Sequence, residues 1–356
     1  MNIFPKLPLL DLNNKTILIT GATGSFGNAI IKSLLAYLPQ LKSILIFSRD
    51  EFKQLQLMNS FSEEQQSKVQ FILGDIRDKE AVDAVFKKSV DYVFHAAALK
   101  HISFSEVNPN EFIKTNIQAS QHIFDACNQN EVEKCVVISS DKAAAASNTY
   151  GRTKAEMERL MHQANLQSKC KFAAIRFGNF WASRGSVVPQ FIMQFAKKGE
   201  VKLFNETSSR FFITLQDAAN FALIVLHHMM GGEIFIPKLP SIYIKHIAEA
   251  IAGNNINLIK NRKGEKTHEH LLSEPEIRQT LENKSYFILT NNEYDYQIFK
   301  TAHKAEAITS LHLLKSDMNT FFLTIEEVKQ LVENYKEESL AFFHSLQSLK
   351  THSNKA

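Results

Sequence analysis

The 356-residue chain carries 41 basic against 37 acidic side chains, a formal charge of +4. That excess is too small and too scattered for a nucleic-acid footprint, which needs a concentrated basic stripe. With 44% hydrophobic and 22% charged residues the chain can bury a sizeable core and does not read as disordered, and its length suggests one large α/β unit plus an appended region.

Short apolar runs alternate with longer amphipathic ones through the first two-thirds, the βαβ pattern of a parallel sheet. Thr16–Thr20 reads as a buried strand, followed by a helix from Phe26 to about Tyr37. Further strands are predicted at Ser43–Phe47, Val69–Leu73, Tyr92–Phe94, Cys135–Ile138 and Phe172–Ile175. Polar and glycine-bearing residues cluster just past the carboxyl ends of these runs, where an open α/β sheet binds its ligands. After Pro189 the pattern becomes irregular, with short strands near Val201 and Ile234 and helices near Gln216–His228 and Ile244–Ala252. The expected fold is therefore α/β: a Rossmann-type doubly wound parallel sheet over residues 1–180 and a smaller C-terminal α/β substrate-binding portion over 181–290. Residues 291–356 form an extension of unassigned role.

Cys127, Cys135 and Cys170 show neither CxxC nor metal-type spacing, which argues against disulfide stapling and a zinc site. His101, His268 and His270 lack convincing ligand spacing, so no metal is expected. Met1-Asn2-Ile3-Phe4-Pro5 has no secretory pattern, and no window approaches the roughly 20 apolar residues of a membrane span. A cytoplasmic protein without membrane insertion is the expectation.

Gly21-Ala22-Thr23-Gly24-Ser25-Phe26-Gly27 follows the first strand and opens the first helix. Its glycines permit a tight turn and let backbone amides approach a pyrophosphate at a helix N-terminus. The GxxGxxG spacing resembles the extended short-chain dehydrogenase/reductase superfamily. An NAD enzyme usually offers an acid after the second strand, but Ser48-Arg49-Asp50 stands there. The forked guanidinium of Arg49 suits a 2′-phosphate and favours NADP, while Asp50 keeps NAD possible. Asp75-Ile76 resembles the superfamily's adenine-contacting pair, and Ala96-Ala97-Ala98 its passage beside the nicotinamide ribose.

Ser139-Ser140-Asp141-Lys142 ends the fifth strand, and Tyr150-Gly151-Arg152-Thr153-Lys154 follows. Tyr and Lys four apart on a helix share one face, where an ammonium lowers the phenol's proton affinity and fits Tyr150 for acid/base work. Ser140 can bond the same substrate oxygen. Asp141-Lys142 adds a second acid/base pair, suggesting proton removal and return at another carbon.

The Ser-Asp-Lys-Ala run with Tyr nine residues after the Asp resembles the inverting UDP-N-acetylglucosamine 4,6-dehydratases. The likeness covers about residues 13–275 and includes His95-Ala96-Ala97-Ala98-Leu99-Lys100-His101, Lys114-Thr115-Asn116, Ser183-Arg184-Gly185-Ser186-Val187-Val188-Pro189 and Gly231–Lys238. It implies oxidation of the sugar at position 4 assisted by Tyr150 and Ser140, with Lys154 beside them. Lys142 would then take the hydrogen at position 5, and Asp141 would help expel the hydroxyl at position 6. Hydride returns to position 6 and protonation inverts position 5, giving a 4-keto-6-deoxy sugar nucleotide for nonulosonic acid or surface-polysaccharide synthesis. The resemblance implies further cofactor contacts from Lys53 and Lys100. It maps substrate contacts onto Lys100, Arg176, Asn179, Val187, Arg210, Arg262 and Glu265, with Lys266 in the same segment as the last two. It also implies a homo-oligomer.

The chain departs from the family pattern at Ala145-Ala146, where Asn-Pro is usual, at Arg152, and at Asn179-Phe180-Trp181-Ala182, where Asn-Val-Val-Gly is usual. A GDP-linked substrate, or a UDP-N-acetylhexosamine 4-epimerase needing Tyr150 and Lys154 but no base at Lys142, therefore stays open. So does a catalytically silent, NADP-sensing protein.

Overall fold

The computed structural model describes residues 3–4, 10–37, 41–260 and 264–337. The six strands expected from sequence all form: β1 (Thr16–Thr20), β2 (Ser43–Ser48), β3 (Val69–Leu73), β4 (Tyr92–His95), β5 (Lys134–Ser140) and β6 (Lys171–Phe177). β1, β4 and β5 are buried almost throughout because helices cover both faces of a parallel sheet. Later come β7 (Asn179–Phe180), β8 (Val201–Leu203), β9 (Ser209–Ile213), β10 (Ile234–Pro237), β11 (Ser241–Tyr243), β12 (Ile256–Leu258), β13 (Thr280–Glu282), β14 (Tyr286–Leu289) and β15 (Glu306–Ala307).

Ten strands join one sheet in the order β15-β13-β14-β10-β6-β5-β4-β1-β2-β3. Strands β1 to β6 and β10 run parallel, while β14, β13 and β15 extend that edge antiparallel. The sheet thus draws strands from all three sequence stretches, 1–180, 181–290 and 291–356. β1 pairs with both β2 and β4, so the chain leaves β1 for one side and later returns to the other. That reversal opens a crevice at the carboxyl ends of the strands.

A second core lies beyond the sheet. Trp181, Val188, Phe191, Leu203, Phe212 and Ile247 pack there under two small sheets, β11-β9-β7 and β12-β8. Leu323, Val328 and Val332 join it, so the chain after residue 291 contributes β15 to the main sheet and apolar side chains to the second core. Among the described residues, no helix is long and apolar enough to cross a membrane.

Candidate active site

A cleft of about 460 Å³ opens at the strand switch point. The six residues from Gly21 to Gly27 other than Ala22 line it, together with Ser48, Arg49, Asp50, Lys53, Asp75, Ile76, Ala96, Ala97, Ala98 and Lys100. Gly21 has φ +66, and a Cβ there would stand 2.7 Å from the Ala97 backbone nitrogen, so only glycine lets these two loops approach. Gly24 N–H donates to Gly21 C=O at 2.9 Å to close the turn. In the cleft wall, the buried Thr115 hydroxyl has no hydrogen-bond partner among the described residues. A backbone cradle at a helix start and an unpaired hydroxyl fit a dinucleotide.

The cations and acids at the outer end differ in how firmly they are held. Asp50 caps the helix Glu51–Met58, accepting from Lys53 N–H at 3.0 Å, and pairs with the Lys53 ammonium. These bonds hold its carboxyl below the usual range. The Arg49 side chain is 55% exposed and, among the described residues, forms an ion pair with Asp75 at 3.6 Å. Asp75 itself makes the closer pair with Arg77, at 2.7 Å. Arg49 is therefore the more available charge beside the cleft.

At the inner end, β5 delivers Ser140 and a short turn carries Asp141 and Lys142. The helix Thr149–Leu166, capped by Asn148, brings Tyr150 and Lys154 against that turn. Gly151 makes the contact possible, because a Cβ there would lie 2.2 Å from Lys142 C=O. The Lys154 ammonium donates to Ile138 C=O at 2.7 Å, tying the helix to β5. Burial lowers its pKa to about 8. Burial raises the pKa of Tyr150, partly offset by the Ser140 hydroxyl and the Lys142 charge.

Asp141 Oδ1 accepts from Ser140 Oγ at 3.0 Å and from Lys142 Nζ at 2.9 Å, while its fully buried Oδ2 has no partner among the described residues. Burial pushes the Asp141 carboxyl up despite Lys142. Burial alone would lower Lys142, but the Asp141 and Glu269 carboxylates outweigh it and hold the amine protonated. Lys142 Nζ also donates to Asn179 Oδ1 at 3.0 Å, so the expected substrate contact Asn179 stands beside the expected base.

Two of the expected substrate contacts, Arg176 and Arg210, are hydrogen-bonded within the protein. Arg176 is buried and donates to Glu158 at 2.9 and 2.7 Å, to Glu276 at 2.6 Å and to Leu271 C=O at 3.3 Å. Arg210 donates to the carbonyls of Ser209, Thr267 and Lys266 at 2.7–2.8 Å. A guanidinium has five N–H donors; the acceptors around Arg176 engage Nε, Nη1 and Nη2, and those around Arg210 engage Nη1 and Nη2. Both arginines brace the protein. Lys100 stays on the cleft, donating to Arg184 C=O at 3.0 Å, and burial lowers its pKa. Val187 begins the helix Val187–Lys198, Glu265 is exposed, and Arg262 lies outside the described residues.

Glu269 is the residue the sequence reading missed. It is buried, 3.6 Å from Lys142, and its only sequence signal was a place near Lys266. The departures from the family pattern cluster here too. Ala145 and Ala182 adopt left-handed backbone (φ 44 and 52), unusual for a residue with a Cβ. Phe180 stacks on Phe26 at 5.7 Å in the cleft, Trp181 packs on Phe212 at 5.6 Å, and Arg152 is exposed.

A Rossmann sheet with a glycine-rich turn lining its crevice and a Ser-Tyr-Lys group carried by the end of β5 and the helix after it defines an enzyme of the short-chain dehydrogenase/reductase class. Residues 17–291 match the family described as polysaccharide biosynthesis protein, and the chain belongs to that family. Over 334 residues it is 38% identical to an inverting UDP-N-acetylglucosamine 4,6-dehydratase of Campylobacter jejuni (serotype O:23/36), covering 90% of this chain and 98% of the relative. It is 36% identical over 339 residues to a UDP-glucose 4-epimerase of Rickettsia bellii, covering 92% and 98%. Among solved structures, Pen from Bacillus thuringiensis superimposes with a TM-score of 0.81 at 32% identity, covering 91% of this chain and all of that one.

Proposed function

We propose that this chain is an NADP-dependent 4,6-dehydratase of UDP-N-acetylglucosamine that inverts position 5, giving UDP-2-acetamido-2,6-dideoxy-β-L-arabino-hex-4-ulose for nonulosonic acid or surface-polysaccharide synthesis. The observation that carries the reading is the buried Asp141–Lys142 pair beside Ser140 and Tyr150, with Asp141 Oδ2 left without a partner among the described residues. Exchange at position 4 alone has no use for it. The 38% identity to a protein of that name supports the same reading.

The glycine turn from Gly21 to Gly27 would hold the pyrophosphate, and Arg49, half-exposed and only loosely paired with Asp75, would take the 2′-phosphate. A bound nicotinamide supplies a hydride acceptor and, later, a donor beside the sugar. Tyr150 takes the proton of the 4-hydroxyl while Ser140 steadies the oxygen, and the Lys154 charge favours the phenolate. The ketone formed at position 4 acidifies the hydrogen at position 5.

At rest the shared proton sits on Lys142, since the neighbouring carboxylates raise its pKa. Asp141, 2.9 Å away and raised by burial, is the group that can receive it. That transfer leaves an amine to accept the position-5 proton and a carboxyl to donate to the departing 6-hydroxyl. Elimination then restores the ammonium and the carboxylate, so the pair ends the step as it began. Inversion follows when position 5 is reprotonated on the opposite face.

The chain is expected to work as a cytoplasmic homo-oligomer. A 4-epimerase is the second reading, favoured by the 36% identity to a protein of that name. Incubation with UDP-N-acetylglucosamine in deuterated water, followed by mass spectrometry, separates the two. Loss of one water with one carbon-bound deuterium retained supports the dehydratase. An unchanged mass with a new 4-epimer overturns it, and turnover of only a GDP-linked sugar would move the substrate assignment.

A further inference from the structure

Glu269 sits where three cations converge. Its Oε1 lies 3.6 Å from Lys142 Nζ and 3.7 Å from Arg210 Nε, and its Oε2 is 3.7 Å from Lys266 Nζ. Oε2 is buried and makes no hydrogen bond among the described residues. The backbone around it is pinned: Glu269 N–H donates to Ser316 Oγ and Ser316 N–H donates to Glu269 C=O, both at 2.9 Å.

Two of the three cations are anchored elsewhere. Arg210 is fixed by its three carbonyl acceptors, and Lys266 donates to Ala144 C=O at 2.9 Å. Among the described residues, Lys142 instead hydrogen-bonds to the side-chain acceptors Asp141 and Asn179, beside Ser140 and Tyr150. A buried carboxylate beside a largely buried ammonium at this distance costs more to desolvate than a surface pair and acts strongly on its neighbour.

We propose that Glu269 is a positioning residue for Lys142: it holds the ammonium in line with Asp141 and Asn179 and governs how readily that ammonium gives up its proton. The role rests on the reading of Lys142 as the base of the dehydration. Lys142 faces Asp141, Glu269, Arg210 and Tyr150, and Glu269 in turn faces Lys142, Arg210, Lys266, Asp141, Tyr150 and His270. Burial alone would raise the Glu269 carboxyl, but Lys142, Arg210 and Lys266 outweigh it and keep it ionised. Glu269→Gln therefore removes one of the two negative charges that keep Lys142 protonated while preserving side-chain size.

The test is competitive acetylation of the full chain with acetic anhydride at one mildly alkaline pH, read at Lys142 by peptide mass spectrometry against exposed lysines. Only the neutral amine reacts, so each unit by which its pKa falls speeds labelling about tenfold. Glu269→Gln is expected to label Lys142 about tenfold faster than wild type, with Glu269→Asp closer to wild type. Lys266→Met, which leaves Glu269 in place with one competing cation gone, is expected to slow it.

Unchanged labelling in Glu269→Gln and Lys266→Met overturns the proposal, even if activity falls, because a purely structural role moves neither. If wild type removes no water from UDP-N-acetylglucosamine, the dehydratase reading fails while the labelling contrast still reports on Glu269. If water is lost and the contrast is absent, the Glu269 role alone fails.

Discussion

At the cofactor end of the cleft the wall is backbone and half-exposed charge: the turn from Gly21 to Gly27, Arg49 at 55% side-chain exposure, and Asp50 tied to its own helix cap. At the chemical end the charges are buried, with Asp141 at 0%, Glu269 at 3% and Lys142 at 14% side-chain exposure. Its parts come from stretches far apart in the chain, around residues 140–154, 176–181, 209–210 and 266–269. At the first end Asp50 is set by its own cap and ion pair within reach of screening water, whereas buried charges at the second end set one another's state. Substitutions at the cofactor end should therefore change affinity, and those at the chemical end should change rate.

The largest expected effect is at the chemical end. Tyr150→Phe should lower turnover by about a thousandfold, the scale of a lost acid/base group, with cofactor affinity changed less than about threefold. Steady-state rates and a cofactor titration check this together, and a large loss of cofactor affinity would break the division between the two ends.

Next is the buried ammonium of Lys154. Its pKa of about 8 lies below its ordinary 10.5, so the folded state favours the neutral amine. The desolvation cost is fully present below pH 8 and is relieved as pH rises from about 8 to 10.5. Lys154→Met should accordingly raise thermal stability at neutral pH, by on the order of 3 kcal/mol less the lost bond to Ile138, and the gain should shrink across that window. Thermal melts at several pH values read the trend; a gain that grows with pH would contradict the assignment.

Gly21→Ala comes third, with strain of roughly 1–3 kcal/mol from the left-handed backbone, sharpened by the contact with Ala97. It should weaken cofactor binding without altering the pH profile of the bound enzyme. The smallest effect is Arg49→Ala, expected to weaken NADP about tenfold and leave NAD nearly unchanged, as befits one exposed charge-assisted contact. Equal losses for both cofactors would remove the case for NADP preference.

The two ends also differed in how far the sequence disclosed them. β1 to β6 were legible because strands buried in a parallel sheet are continuous apolar runs, and the glycine turn because its spacing serves a backbone need. Ser140, Asp141, Lys142, Tyr150 and Lys154 were legible because one strand end and one adjoining helix carry them all. Glu269 was not, since its meaning depends on Lys142, 127 positions earlier in the chain. The internal partners of Arg176 and Arg210 were illegible for the same reason: Glu276 and the carbonyls of Thr267 and Lys266 lie 100 and 56–57 positions away in the chain. β13 and β14 escaped notice because they are only three and four residues long and join the sheet from far along the chain.

The central claim is that the Asp141–Lys142 pair works at positions 5 and 6, after an oxidation that does not need it. Lys142→Ala mixed with UDP-N-acetylglucosamine in deuterated water tests this in a single turnover. Reduced cofactor is followed by its absorbance, and the sugar nucleotide by mass. The account predicts reduced cofactor at near the wild-type extent, with no water lost and no deuterium at position 5. Water loss at the wild-type rate by the variant would contradict it.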